Sequence, residues 1–307
     1  MIIRTILAAA ISMVASGAIA SGLLDDTPRT AILSAFEPEW VELKDELSDR
    51  QEFTENGVVF VTGELQGEDV VLFLSGIGMV NAAMTTQLAL DRFNVSAIVV
   101  SGIAGGVDPG LSIGDVVVAD RWAQYLFVVL ARRTPDGFSV PPLFGKPFPN
   151  FDMMFPQLTT VRRDGAPEGR KMFWFDTDPG LMEAAKTAAA AITLKRCASA
   201  DNCLTEAPEI RIGGAGVSGS AFVDNADFRR YVFDTFNAQL LDMETAAVAH
   251  VAFSNGTPFI AFRALSDLAG GGEGENEIGT FFAVASSNSA AVVRAFLKAR
   301  SDEGARN

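Results

Sequence analysis

From about residue 30 onward, short apolar runs of strand length take turns with longer segments of helical pattern, and few folds accept that alternation. TAILSAF (30–36) leads into a helix beginning near Pro38. GVVFVTGEL and EDVVLFLSG read as paired strands with Gly67 in the turn. Met79 to Phe93 reads as a helix. SAIVVSGIAGG (96–106) is an apolar strand running into a glycine loop, and SIGDVVVAD is another strand. Pro179 to Leu194 is an Ala-rich helix, EIRIGGAGVSG and AQLLDME are strands, and Thr245 to Ser254 is a helix. PFIAFRALSD is a buried strand and Gly279 to Lys298 a closing helix. This order predicts an α/β fold: a single three-layer αβα domain around a mixed, mostly parallel central sheet, the mixture coming from the strand pair near 57–75. No internal repeat or interdomain linker interrupts it. Residues 132–175, rich in Pro, Gly and Phe and without a clear period, predict a long irregular insertion partly ordered over the site.

The first 20 residues read MIIRTILAAAISMVASGAIA. Arg4 supplies a positive start, an apolar run follows, and Ala18-Ile19-Ala20 has the small-x-small form of a cleavage site. The run from Ile6 to Ala20 falls short of the roughly 20 residues of a spanning helix. A cleavable signal peptide over 1–20 is therefore expected, with the α/β domain over 21–307. The expected location is periplasmic or secreted, without membrane association once the signal is removed. Hydrophobic residues make up 49% of the chain, enough to fill one large core. The formal net charge is −14, and loss of Arg4 makes it more negative. Such a surface repels nucleic acid and anionic membranes and suits an uncharged substrate better than a phosphorylated one. Cys197 and Cys203 lie close together in RCASADNCL, which in an exported protein reads as a small disulfide-closed loop. The only histidine, His250, sits in the apolar run AAVAHVAF and reads as a packed residue. No metal site and no cofactor are expected.

In open α/β sheets ligands bind outside the carboxyl ends of the strands. Several polar groups fall at such ends: Glu37 and Glu39, the segments 75–78 and 101–106, the DME segment 242–244, and Ser266-Asp267. Cleavage of a glycosidic bond passes through an oxocarbenium-like sugar and uses carboxylates in distinct roles. Asp267 ends the apolar run PFIAFRAL and precedes LAGGG; it reads as a buried acid or as a turn cap. Glu244 and Glu39 each stand at the start of a helix, where a carboxylate also favours the helix dipole.

Six segments sharpen this reading: SAFEPEWVEL, SGIGMVNAA, SGIAGG, VSGSAFVDN, LDMETAAVAHV and RALSDLAGG, in that order. Together they resemble the nucleoside phosphorylase/nucleosidase superfamily, specifically the methylthioadenosine/S-adenosylhomocysteine nucleosidases, from about residue 30 to 298. The GIAG loop with its IGDV strand, the C-x5-C loop, the VFVDN-type segment and RALSDLAGGG look closer still to the secreted plant bark-storage and vegetative-storage proteins. The resemblance implies that Glu39 handles the attacking water, Glu244 binds ribose hydroxyls, and Asp267 protonates the purine with Ser266 orienting it. It further implies that Phe222 stacks on the base, the Val223 backbone reads its edge, and Met243 packs on the sugar. Ile77 and the 101–106 loop, with Gly102 and Ile103, would line the sugar and nucleophile side.

Two positions depart from the phosphorylases of the superfamily. Val100 and Ile103 stand where those enzymes carry an arginine and a hydroxyl residue, and an apolar pair cannot compensate the desolvation of a phosphate dianion. Water is therefore the expected nucleophile. Ile103 also departs from the small nucleosidases, which keep a hydroxyl there. The expected activity is an exported purine nucleosidase acting on a small-molecule purine nucleoside, with methylthioadenosine or S-adenosylhomocysteine as candidates. A non-catalytic nucleoside-binding or storage protein is the alternative, and a purine nucleoside phosphorylase the weaker one. A homodimer stays open.

Overall fold

The computed structural model describes residues 22–200, 202–272 and 274–304; the expected signal peptide lies outside the described residues. The chain begins with β1 (Asp25–Ser34), α1 (Glu37–Asp45), β2 (Ser48–Glu55), β3 (Val58–Leu65), β4 (Glu68–Leu74), α2 (Met79–Arg92) and β5 (Phe93–Gly106). Next come β6 (Val116–Val118), β7 (Arg121–Gln124), β8 (Val128–Leu130), β9 (Arg132–Thr134), β10 (Gly137–Ser139), β11 (Met154–Pro156), β12 (Thr159–Arg163), β13 (Ala166–Met172) and β14 (Trp174–Asp176). The last part holds α3 (Pro179–Ala191), β15 (Cys197–Ser199), β16 (Asn202–Cys203), β17 (Ile210–Ile212), β18 (Ala215–Ser218), α4 (Ala226–Phe236), β19 (Ala238–Asp242), α5 (Thr245–Asn255), β20 (Phe259–Asp267) and α6 (Ile278–Gly304).

Among the described residues the main sheet has 12 strands and runs β14-β7-β18-β19-β5-β1-β4-β3-β2, with β20, β6 and β17 joined through β5. Its centre is parallel, since β5 pairs in parallel with both β1 and β20, and β1 with β4. The β2–β3–β4 meander and the β19–β5 ladder are antiparallel. The expected mixed α/β sheet is thus present.

Period-two alternation divides the central strands between two cores. Ile32, Val99, Ile260 and Phe262 face a core shared with α1, α3 and α6, through Leu43, Ala185 and Phe296. Ala31, Leu33, Ile98, Val100 and Ala261 face the opposite core with α2 and α5, through Ala82, Ala89 and Val248. Helix α6 is long and apolar enough to cross a bilayer by length and composition, yet most of its apolar window is buried in the first core.

Several expectations need correction. Residues 132–175 are not irregular: β9 pairs with β10, β11 with β8, β12 with β13, and β14 joins the sheet edge at β7. Aromatic anchoring replaces the missing hydrophobic period. Phe148 sits 4.2 Å from Phe173 and 5.4 Å from Phe236 of α4, ring centre to ring centre. EIRIGGAGVSG is two strands, β17 and β18, because Gly213 and Gly214 both take positive φ, at 104° and 85°. Helix α4 was hidden by its charged composition, although Asn225 caps it by accepting from Phe228 N at 2.8 Å. Cys197 and Cys203 are joined by a disulfide that closes the β15–β16 hairpin. The His250 ring stacks on Phe175 at 4.8 Å, with Nδ1 3.2 Å from Gln124 Nε2, a packed residue as expected.

Candidate active site

The carboxyl ends of β1, β5 and β20 open onto one cleft with a volume of about 170 Å³. Its lining includes Phe36, Glu39, Ile77, Ile103, Phe222, Val223, Met243, Glu244, Ser266, Asp267 and Ile278.

Glu39 stands in the first turn of α1 and is buried. Its Oε2 accepts from Ala35 N at 2.7 Å and from Phe36 N at 3.4 Å, closing the β1–α1 turn. Its Oε1 accepts from Ile103 N at 2.9 Å, which ties the turn to the end of β5. Glu244, at the start of α5, accepts from Gly78 N at 2.8 Å through Oε1. Asp242 at the end of β19 accepts from Glu244 N and Thr245 N, each at 3.2 Å, and from the Ser218 hydroxyl.

One guanidinium joins these groups. Arg263, inside β20 and only 1% exposed, lies with Nε 2.8 Å from Asp242 Oδ2 and donates from Nη2 to Glu244 Oε2 at 3.2 Å. Its Nη1 donates to Ile103 O at 3.2 Å and is 3.8 Å from Glu39 Oε1. Burial raises the proton affinity of Glu39 and Glu244, and the Arg263 charge opposes that rise in both. The cluster therefore holds more acid than its one cation neutralises.

Asp267 sits apart from it, at the end of β20. Its Oδ1 accepts from Ala269 N at 2.8 Å and its Oδ2 from Ser266 Oγ at 2.9 Å. Burial raises its pKa above the usual aspartate range. Nearby, Phe222 projects into the cleft mouth, 57% exposed, and Val223 beside it is buried.

The structure brings Glu39, Glu244, Asp267, Ile77, Ile103, Phe222, Val223, Met243 and Ser266 to this one cleft. Gly102 is different: it lies beneath, donating its N–H to Ser289 Oγ at 3.0 Å. A Cβ there would collide with Arg263 Nη1 and Glu39 Oε1, so its role is to let those groups meet. The 132–175 segment contributes no described lining residue, against the expectation that it covers the site. The sequence alone assigned no role to Phe36, Arg263 and Ile278, and marked Asp242 only as part of the 242–244 strand end. Arg263 left a legible signal, a lone charge inside the apolar strand PFIAFRALSD, since an unpaired charge does not persist there.

The family model described as the phosphorylase superfamily matches residues 29–298, and the fold and cleft define a member of that class. The chain is 33% identical over 245 residues to a 5′-methylthioadenosine/S-adenosylhomocysteine nucleosidase of Geobacillus thermodenitrificans, covering 79% of this chain and 85% of the relative. It is 30% identical over 272 residues to one from Tolumonas auensis, covering 88% and 99%. Among solved structures, the Neisseria meningitidis nucleosidase in complex with methylthio-immucillin-A superposes with TM-score 0.66 at 27% identity, over 88% of this chain and 98% of that one. The Colwellia psychrerythraea nucleosidase in complex with adenine gives TM-score 0.67 at 26% identity, over 89% and 95%. The chain belongs to the 5′-methylthioadenosine/S-adenosylhomocysteine nucleosidase family of the phosphorylase superfamily. It is an N-glycosyl hydrolase that cleaves purine nucleosides.

These bacterial relatives overturn the assignment to the plant bark-storage and vegetative-storage branch. Of the motifs that suggested it, the IGDV glycine answers to local packing in this chain: Gly114 has φ 91°, and a Cβ there would meet Leu204 and Pro208.

Arg263→Met leaves three buried carboxylates without their cation. Loss of about 3–5 kcal/mol of folding stability is expected, read by urea unfolding. Arg263→Lys keeps a charge without the planar fork and should lose less. Parent-like stability of Arg263→Met would show that the carboxylates do not depend on it.

Proposed function

We propose that this protein is an exported nucleosidase whose substrate is an adenine nucleoside with a small apolar 5′ group, of the methylthioadenosine type. The observation that carries the reading is the division of the cleft's acids between two environments, one around Arg263 and one at Asp267 away from it.

Asp267, with its raised pKa, is the proton donor to the leaving purine, and Ser266 orients it. Phe222 stacks on the base, and the Val223 backbone reads its edge. Glu244 accepts from the ribose hydroxyls, its carboxylate oriented by Gly78 N and Arg263. Met243 packs on the sugar beside Ile77. Glu39 takes the proton of a water that adds to the anomeric carbon as the bond to the purine nitrogen breaks. With base and hydroxyls so placed, Phe36 and Ile278 remain for the 5′ group, an apolar wall suited to a methylthio substituent.

Phosphate is a poor alternative nucleophile. Val100 points into the core with α2 and α5, Ile103 presents an apolar side chain, and the Arg263 guanidinium is already engaged by carboxylates. A panel of purine nucleosides, with and without phosphate, should yield free base and free sugar at the same rate. Asp267→Asn should lose about 10²- to 10⁴-fold in turnover with little change in affinity, whereas Glu244→Gln should weaken both. Formation of a sugar 1-phosphate would overturn the hydrolytic reading, and parent-like turnover by Asp267→Asn would overturn the acid.

Export is supported by the residue 1–20 pattern and by the Cys197–Cys203 bond, which persists in an oxidising compartment. Protein recovered from its native host should begin at Ser21. Full-length chain confined to the cytoplasm would refute export.

A homodimer is supported by an apolar face beside the cleft. Val80 and Met84, one turn apart on α2, are 78% and 58% exposed, and Ile77, Phe127 and Leu130 are exposed as well. Met79 and Phe127 line one groove, so α2 and the chain after β7 form a continuous surface. A second copy of the chain is the occupant, since a face this apolar is seldom left to water. Light scattering should give twice the chain mass, reduced to one by Met84→Asp. A monomeric parent at micromolar concentration would sink the proposal.

A further inference from the structure

Six non-glycine residues among the described ones take a positive φ: Asp49, Asn56, Gln66, Asp152, Asn237 and Ala269. The first five are polar and exposed, the usual character of residues in left-handed turns. Ala269 differs from them: it has φ 51°, carries no polar side-chain group, and is fully buried. With Gly270, at φ 85°, it forms the middle of a four-residue turn closed by Gly271 N donating to Leu268 O at 2.9 Å. Two positive φ values in succession are ordinarily supplied by glycine, asparagine or aspartate. An alanine held there is backbone strain, and such strain collects at functional sites.

The strained residue faces Asp267. Ala269 N donates to Asp267 Oδ1 at 2.8 Å, while Ser266 Oγ serves Oδ2 at 2.9 Å. A hydroxyl rotates to suit its partner, whereas a main-chain N–H points where its φ sends it. We propose that Ala269 is a positioning residue for the leaving-group acid: its left-handed backbone, locked by its buried methyl and by Asn225, aims its N–H at Asp267 and sets the carboxyl group against the base-reading segment. This rests on the reading of Asp267 as proton donor.

Three contacts hold Ala269 in that state. Its carbonyl oxygen accepts from Asn225 N at 3.1 Å, two residues after Val223. Its methyl packs in a cluster with Val107, Val223 and Leu241, and the last two also line the cleft. Gly105, near the end of β5, leaves room for the acid and the turn together: a Cβ there would stand 3.1 Å from Asp267 Oδ1 and 3.3 Å from the Ala269 methyl. Gly270 presses on the same neighbour, since a Cβ on it would come 2.3 Å from Asn225 N. The turn and the 222–225 segment therefore move as one unit, and with them the acid and the groups that read the base. Glycine at 269 would reach φ 51° without strain, but it would reach other values as readily and let the N–H swing away. A general acid must lie within hydrogen-bond reach of the atom it protonates, and misplacement by about 1 Å costs up to about 10²-fold in rate.

The test is Ala269→Gly, with kcat, KM, adenine binding by calorimetry and urea unfolding measured on the same protein, and Asp267→Asn as the control. Glycine relieves the positive φ, so the urea midpoint should hold or rise. It also frees the N–H, so kcat should fall about 10-fold while KM and adenine affinity hold. Gly270→Ala disturbs the same turn from the other side by driving it away from Asn225. Its kcat should fall further, and adenine binding should weaken as the 222–225 segment shifts. This second variant decides the matter if the first does not fold. A merely structural role for Ala269 would move the urea midpoint and leave kcat in place. Parent-like kcat in either folded variant, with Asp267→Asn inactive, overturns the role of Ala269 alone. Parent-like turnover by Asp267→Asn overturns the acid and the role of Ala269 together.

Discussion

The Arg263 guanidinium is the point from which the rest of the cleft is measured. It comes from the middle of β20, is enclosed on every side, and meets carboxylates from three other places: Glu39 from α1, Asp242 from β19, and Glu244 from the start of α5. A buried cluster of this kind adds little net stability, because desolvation of each charge offsets most of the attraction. What it supplies is fixed spacing. Glu39 and Glu244 are held at set distances from one rigid planar group, so the two carboxylates keep their relation across the cleft. Gly102 belongs to this arrangement by what it lacks, since any side chain there would occupy the space where Arg263 meets Glu39.

The fold delivers these groups because the parallel central strands end together. β1, β5 and β20 run parallel, so the Glu39 turn after β1, Ile103 near the end of β5 and Ser266-Asp267 at the end of β20 all lie at the same end of the sheet. Alternation along those strands sends their apolar side chains into two separate cores, so the polar groups at their ends face neither. Environment then sorts the acids. Glu39 and Glu244 have a cation beside them that favours the charged form, while Asp267 has neutral donors and an anionic neighbour. Burial raises all three, and what distinguishes them is the cation beside Glu39 and Glu244 that Asp267 lacks.

Much of this was legible before any coordinates. The strand and helix order, the mixed sheet and the strand-end positions of Glu39, Glu244 and Asp267 follow from period and punctuation. The superfamily followed from six short motifs in order. The errors have physical origins. The 132–175 segment lacks a hydrophobic period because short hairpins held by aromatic contacts do not need one. Helix α4 is amphipathic but short, with four charged residues and only Val232 and Phe236 fully buried, so its apolar face is easily passed over. The plant-storage resemblance rested on short glycine and loop motifs, whereas the bacterial relatives match over most of the chain.

The sequence alone determined which chemistry was available: three acids at strand ends, an apolar residue where phosphate needs a partner, two cysteines close enough to join, and a charge inside an apolar strand. Such features are local, written in runs of a few residues, and survive without knowledge of the fold. Tertiary structure alone decided which acids share a cation and which stands apart, and that Gly102 makes room for Arg263 and Glu39 to meet. Those outcomes depend on contacts between residues that are far apart along the chain, as Glu39 is from Arg263. Proton affinity in a buried site is set by such neighbours and by exclusion of water, and neither is written in any single stretch of sequence.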